Sequence, residues 1–349
     1  MNIKKILLPA ALILTAMNLQ AQQPVEGTTY FLPKTAIKFN VLIEKTTTTP
    51  GQLALYADKY MRMRDVPQKP TTTYRLVSVS TRSVGLPDST KQFTLQLDKK
   101  HVIYSVNRDE NGVLLAVNAQ PKKQRPYKAF KPARKPTPID AHNYMTEDIL
   151  AAGSSAKMAE LIAREIYDIR DSRNQLSRGE ADFMPKDGEQ LKLMFENLDK
   201  QERALMQVFE GTTQKDTVET EITFVPEKEV DKQLLFRFSQ KLGMVDIDDL
   251  AGRPYLVKVE DLHDIATIQL GTEKEKKSKD DIGLNVNLPG RIRLTLFKAD
   301  EQWASFELYA AQFGRMETMS GELFGKKFNT NLILNGITGN VESINMQPQ

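Results

Sequence analysis

Thr35-Ala36-Ile37-Lys38-Phe39-Asn40-Val41-Leu42-Ile43-Glu44-Lys45 places apolar side chains at 37, 39, 41 and 43, with Lys38, Asn40 and Glu44 between them. Successive side chains of a strand point to opposite faces, so this period of two describes a half-buried β-strand. Working outward, strand patterns recur at Thr73–Ser83, Gln92–Leu97 and Val102–Asn107. Asn111-Gly112 is a hairpin signal before Val113–Val117. Thr49-Pro50 reads as the start of a short helix, Thr49 as N-cap and Pro50 in the first position, burying Leu53, Tyr56 and Tyr60. Residues 26–120 are therefore expected to form a mainly antiparallel β domain with one short helix.

The pattern breaks at Pro121. From there to Pro138 the chain holds five prolines, seven Lys or Arg residues and no acid, which marks 121–141 as an extended basic linker. A helical hairpin is expected over 142–212. Ser154 or Ser155 caps a first helix that runs to about Leu176, burying Met158, Leu161, Ile162, Ile166 and Ile169, and Gly179 suits its stop. Asp187 with Gln190 forms a capping box for a second helix that buries Leu191, Met194, Phe195, Leu198, Leu205 and Phe209 and ends at Gly211. Strand periodicity returns at Glu219–Val225, Leu234–Ser239, Tyr255–Val259, Ile265–Leu270, Arg291–Phe297 and Ser305–Ala310. A last hairpin joins Phe328–Leu334 to Val341–Ile344. The expected fold class is α+β: two mainly antiparallel β domains of sandwich or open-barrel type, the second spanning 213–349, with an antiparallel helical hairpin between them.

Composition narrows the chemistry. The 349 residues include no Cys, which excludes disulfides, thiolate metal sites, iron–sulfur clusters and a thiol nucleophile. It also removes the cysteine to which a bacterial lipid anchor is attached. Lys4 and Lys5, the apolar run Ile6–Ala16 and Leu19-Gln20-Ala21 read as a signal peptide over 1–21, cleaved after Ala21. Its apolar run is too short for a membrane span, and no later one is long enough. The terminal Met346-Gln347-Pro348-Gln349 lacks the aromatic expected of an outer-membrane barrel. The expected address is the periplasm or cell surface, soluble and without a lipid anchor.

Several phrases resemble a known family. Tyr30-Phe31-Leu32-Pro33-Lys34-Thr35 with the Thr46–Tyr60 stretch is similar to the opening of the domain-of-unknown-function 4831 family. So are Phe209-Glu210-Gly211, Leu235-Phe236-Arg237-Phe238-Ser239, Ala311-Gln312-Phe313-Gly314 and Leu323-Phe324. The resemblance implies an exported envelope protein of Bacteroidetes with no assigned activity, catalytic residue or cofactor.

Motifs for catalysis have plain explanations. Ser154-x-x-Lys157 has the spacing of a serine–lysine nucleophile, but Ser172-Arg173-Asn174, which could mimic its companion motif, lies about 27 Å along the same helix, and no K-T-G triad follows. An N-cap and a solvated lysine account for it. Asp246-Ile247-Asp248-Asp249 lacks the ligand register of a calcium loop, and His263 among Glu260, Asp261 and Asp264 reads as a surface histidine. No catalytic, metal or cofactor residue is assigned.

The unusual segment is the linker. Lys122, Lys123, Arg125, Lys128, Lys131, Arg134 and Lys135 carry more positive charge than the whole chain's net +3, so the remainder is net negative. Such separation recruits an anionic partner, and Tyr127 and Phe130 add stacking groups. Export argues against nucleic acid and for an acidic glycan, lipopolysaccharide or an acidic envelope protein; the plain alternative is a self-repelling spacer. Asp88-Ser89-Thr90 and Asp216-Thr217-Val218 resemble an O-glycosylation acceptor pattern, which nominates Ser89 and Thr217. The functional expectation is a non-catalytic envelope protein with a binding or assembly role. A glycan hydrolase using a carboxylate pair and a surface adhesin are the alternatives.

Overall fold

A computed structural model describes residues 27–265 and 281–348, except positions 136, 138, 183 and 186. The leader over 1–21, nearly all of the strand expected at 265–270 and the charged run at 274–279 lie outside the described residues.

In chain order the elements are β1 (Gly27–Thr49), α1 (Ala57–Met61), β2 (Thr71–Gln96), β3 (Val106–Arg108), β4 (Leu114–Val117), α2 (Glu147–Leu150), α3 (Ser155–Arg178) and α4 (Gly188–Glu210). Then come β5 (Thr212–Phe224), β6 (Val230–Ser239), β7 (Gly243–Val245), β8 (Arg253–Asp261), β9 (Asp281–Lys298), β10 (Glu301–Ser320), β11 (Phe328–Leu334) and β12 (Val341–Pro348). They form an α+β fold of antiparallel sheets and a helical hairpin. The sheet orders are β2-β1-β5, β10-β9-β8-β6-β7 and β12-β11-β4-β3.

Two of these sheets mix strands from before and after the hairpin. β5 lies along β1 from Ile37↔Phe224 to Thr49↔Thr212, and β11 meets β4 at Leu332↔Val117. The stretches 26–120 and 213–349 are thus joined by main-chain hydrogen bonds. The reason is elementary: β1 has two backbone edges, each with donors and acceptors that need partners, and β2 satisfies only one of them.

The strand read at Thr35–Lys45 is the centre of β1, but β1 is twice that long. It also changes phase. Tyr30 and Leu32 are buried in its first part, Ile37, Phe39, Val41 and Ile43 in its second. One core cluster gathers Tyr30 and Leu32 with Leu284, Phe324 and Leu332, and another gathers Ile37 and Phe39 with Val257, Ile292 and Leu294. A single strand serves both because the ladder slips between Phe31 and Pro33, where β2 bulges through Asp88–Lys91. Side chains satisfy the other edge of β1 where β5, which ends at Ile37↔Phe224, does not reach it. Thr35 N donates to Gln312 Oε1 (2.9 Å), Gln312 Nε2 donates to Thr35 O (2.8 Å), and Asn287 Nδ2 donates to Pro33 O (3.0 Å).

Helix caps follow the sequence. Ser154 Oγ accepts from Lys157 N, Gly179 takes the left-handed conformation (φ +74°) after α3, and Asp187 Oδ1 accepts from Glu189 N. Two readings need correction. Thr49 ends β1 and caps nothing, and helix begins only at Ala54. The intervening residues are held by α4: Leu53 N donates to Val208 O (2.8 Å), and a Cβ on Gly51 would stand 2.3 Å from that oxygen. Met194 is exposed and Leu191 and Phe195 only half-buried, and none of the three belongs to the core cluster that the hairpin shares with the segment after β1. Of the strand expected at Val102–Asn107 only Val106–Arg108 forms, whereas Thr73–Ser83 and Gln92–Leu97 merge into β2.

Candidate functional site

Where the first two sheets diverge, a cleft of about 850 Å³ opens. Its floor is aromatic. Phe238 on β6, Tyr255 on β8 and Trp303 line it, and Tyr255 is backed by its cross-strand partner Phe236, stacked on it with ring centroids 4.6 Å apart. Trp303 meets Tyr255 edge-on at 5.2 Å and 69°. The chain's only Trp is aimed there by a slip in the β9–β10 ladder: Gln302 faces Phe297 and Ala304 faces Leu296, leaving Trp303 as the bulged residue.

Two turns form the rim. The β6–β7 turn is tied to β2 by Tyr74 N donating to Gln240 O (2.8 Å). Gly243 has φ +81°, and a Cβ there would sit 3.2 Å from the Tyr74 ring, so glycine lets the turn close on the tyrosine. The β9–β10 turn is pinned to β8 by Ala299 N donating to Pro254 O (3.2 Å), with Ala299 itself left-handed at φ +56°. A non-glycine residue held there costs about 1 kcal/mol, which the pinned turn sustains.

The rim is cationic. Arg75, Lys241, Arg253 and Lys298 line the cleft and are exposed. Arg75 bonds Glu44 Oε1 at 3.1 Å, whereas Lys241, Arg253 and Lys298 have no ion pair among the described residues. Glu301 is the one carboxylate among the lining residues. Burial pushes the Tyr255 phenol above its ordinary pKa, and the Arg253 guanidinium opposes that shift, which places the cation within electrostatic reach of the aromatic floor. The arrangement offers ring surface for an apolar face, amides from Gln240 and Gln302 for hydroxyls, and guanidinium and ammonium groups for an anion.

The linker residues lie elsewhere, and part of the linker is held against the sheets. Residues 119–135 form neither helix nor strand, and they strap across the first sheet. The Tyr127 hydroxyl donates to Glu219 on β5, Phe130 N donates to the same carboxylate (2.8 Å), and Arg82 of β2 covers the Tyr127 ring at 4.5 Å. Beneath, Glu221 accepts from Lys38 (2.6 Å) and from Arg82. Lys122 pairs with Glu342 of β12 (3.6 Å) and Lys135 with Asp216 of β5. Lys123, Arg125, Lys128, Lys131 and Arg134 are exposed without an ion pair among the described residues. Tyr127 is exposed, but its ring and hydroxyl are both engaged by groups of the same chain.

Ser89 and Thr217 differ. Ser89 is exposed at the tip of the β2 bulge, in a turn where Asp88 Oδ1 accepts from Thr90 N (3.0 Å) and Thr90 Oγ1 (2.7 Å). Thr217 is half-buried within β5, opposite Glu44. Ser154 is an N-cap and Lys157 Nζ pairs with Glu160 (3.0 Å), so the two do not act together. Asp249 accepts from Ala251 N (2.8 Å) in a turn, and His263 pairs with Asp261 (3.2 Å).

Sequence reading missed the cleft because its walls come from residues 73–76, 238–241, 251–255 and 298–303. The one available signal was the sole Trp, following a turn and flanked by Gln302 and Glu301.

Neither the curated proteins nor the solved structures compared with this chain give a match. The family model described as Domain of unknown function (DUF4831) matches residues 26–342. That match takes in the cleft, the strap and the helical hairpin together, and the chain belongs to the DUF4831 family.

Proposed function

We propose that the protein is an exported, non-catalytic cell-envelope protein that binds a glycan in the Trp303 cleft. The observation that carries the reading is an aromatic floor with unpaired cations above it and only one lining carboxylate. Sugar rings present flat C–H faces that pack on aromatic rings, and their hydroxyls suit amide and guanidinium donors. Hydrolysis is disfavoured by the same inventory: it needs two carboxylates roughly 5–10 Å apart, and Glu301 has no carboxylate partner among the described lining residues. No helix among the described residues is long and apolar enough to cross a membrane, which agrees with a chain carrying no helical span beyond its leader.

A second reading, docking of an envelope protein, draws on the exposed Met184, Leu193 and Met194 near the far end of the helical hairpin. The test of the first is a glycan array probed with the mature chain. Binding that Trp303→Ala and Arg253→Gln both weaken supports the cleft; binding that neither changes refutes it. Protease shaving of intact cells separates the compartments. Digestion favours the adhesin form of this function, and protection favours a periplasmic one.

A further inference from the structure

Resting on the glycan reading above, we infer that the sugar held in the Trp303 cleft is an acidic one, its carboxylate seated on the Tyr255 hydroxyl between Arg253 and Lys298. Tyr255 is only 5% exposed and lines the cleft, yet its hydroxyl has no hydrogen-bond partner among the described residues. A buried phenol ordinarily finds one, because an unpaired polar group out of water is costly. The oxygen is not sealed off, so the hydroxyl opens to the cleft. The ring is already spent on Phe236 and Trp303, at centroid distances of 4.6 and 5.2 Å, which leaves the hydroxyl as what Tyr255 offers a ligand. Burial raises the phenol's pKa, so at neutral pH the group keeps its proton and can donate it. The Trp303 indole N–H and the Tyr74 hydroxyl are likewise without partners among the described residues. Together these groups call for an acceptor.

Charge decides which acceptor. Arg253 precedes Tyr255 by two residues on β8, so both side chains stand on one face, about 7 Å apart along the strand. Their partners on β6, Phe238 and Phe236, keep the same alternation. Lys298 of β9 is the register partner of Tyr255 and points to that face from about 5 Å across the ladder. Neither cation has an ion pair among the described residues. Glu301 of β10 is the register partner of Lys298 on its far side, one strand further from Tyr255. An anion at the Tyr255 hydroxyl therefore meets a guanidinium along the strand and an ammonium across it before it meets a carboxylate. A sugar carboxylate matches that set: one oxygen accepts from the phenol, and the pair of oxygens divides between guanidinium and ammonium. The sugar ring that carries it then lies within reach of Trp303, the ring next to Tyr255.

The test is a fluorescence titration of the full mature chain, in which Trp303 is the only Trp and so reports from the cleft itself, with calorimetry beside it. The ligands are matched pairs: digalacturonate with its methyl ester, and sialyllactose with lactose. In at least one pair the acid should bind roughly tenfold or more tightly than its neutral partner, an advantage that salt reduces. Tyr255→Phe keeps the ring and its stack and removes a hydroxyl that no protein group uses. Its melting curve should stay unchanged or rise slightly, while the acid falls to about the affinity of its neutral partner. Arg253→Gln should abolish the same preference. Acid and neutral sugars bound equally, or neutral sugars alone, overturn the inference and leave the cleft reading standing. So does an acid preference that survives both substitutions, or a Tyr255→Phe melting temperature that falls, since the hydroxyl is then structural. Inorganic phosphate displacing the acid sugar at equal concentration overturns it as well, because any anion then suffices. Binding of no member of either pair overturns the cleft reading too.

Discussion

The two ends of the helical hairpin share one amphipathic pattern and meet different fates. At the base, Ile162, Ile166, Leu205 and Phe209 are fully buried, packed with Leu53, Ala57 and Met61 from the segment after β1. Toward the tip, Leu193 is 57% exposed and Met194 38%, although they recur on α4 much as the buried residues do. Between them the helices are laced by charge: Arg170 to Glu202 at 2.6 Å, and Arg173 to Asp199 at 2.8 Å and to Glu202 at 3.0 Å. Periodicity assigns a face to a helix; depth depends on what else in the chain reaches that face.

The largest effect should come from the base. Phe209→Ala empties a fully buried aromatic site and is expected to cost about 3–5 kcal/mol in chemical denaturation. A loss below about 1 kcal/mol would mean that base and tip are equivalent after all. Next is Gly211→Ala. Gly211 has φ +78°, and a Cβ there would stand 2.1 Å from Thr49 O, where α4 turns into β5 beside the end of β1. Strain and displacement together should cost about 2 kcal/mol or more, read as a lower melting temperature. Midway, Glu202→Gln leaves two guanidiniums with weakened partners on a largely buried site and should cost about 1 kcal/mol. At the tip, Leu193→Ala should change stability by no more than about 0.5 kcal/mol. A larger loss would show that the tip is buried in solution, by another molecule.

Smallest of all is a pH effect at the base surface. Hydrogen bonding and charge from Lys157 hold the Glu160 carboxyl below its ordinary value of 4.5, with Arg164 and Lys59 adding to it. A depressed folded pKa contributes stability above the unfolded value and loses it as pH falls through the folded one. Glu160→Gln should therefore leave neutral stability nearly unchanged and slightly flatten its decline on the acid side, as followed by melting curves below about pH 5.

Legibility follows the range of the interactions. Ser154, Gly179, Asp187 and Gly211 act on backbone groups within a few residues, and each is at the helix end that it marks in sequence. Thr49-Pro50 carries the same local signature and misleads, because Val208 of α4 claims the segment it was expected to start. The alternation at Ile37, Phe39, Val41 and Ile43 identifies a buried face, yet contains nothing about β5 on its other edge, 175 positions away in the register pair Ile43↔Val218, nor about the phase change at Pro33. The cations of the strap were visible as composition; the pairing of Lys122 with Glu342 and of Lys135 with Asp216, and the hold of Glu219 on Tyr127 and Phe130, were not.

What the sequence determined by itself was the antiparallel, helix-bearing class, the helix ends, the absence of thiol chemistry and the basic segment, since all of these depend on residue type and short spacing. Tertiary structure alone decided which strands are neighbours, which half of the hairpin is buried, and that Trp303, Tyr255 and Arg253 share a cleft. Those outcomes depend on which distant backbone edges and apolar faces satisfy one another, and a period of two or of 3.6 residues does not encode the partner.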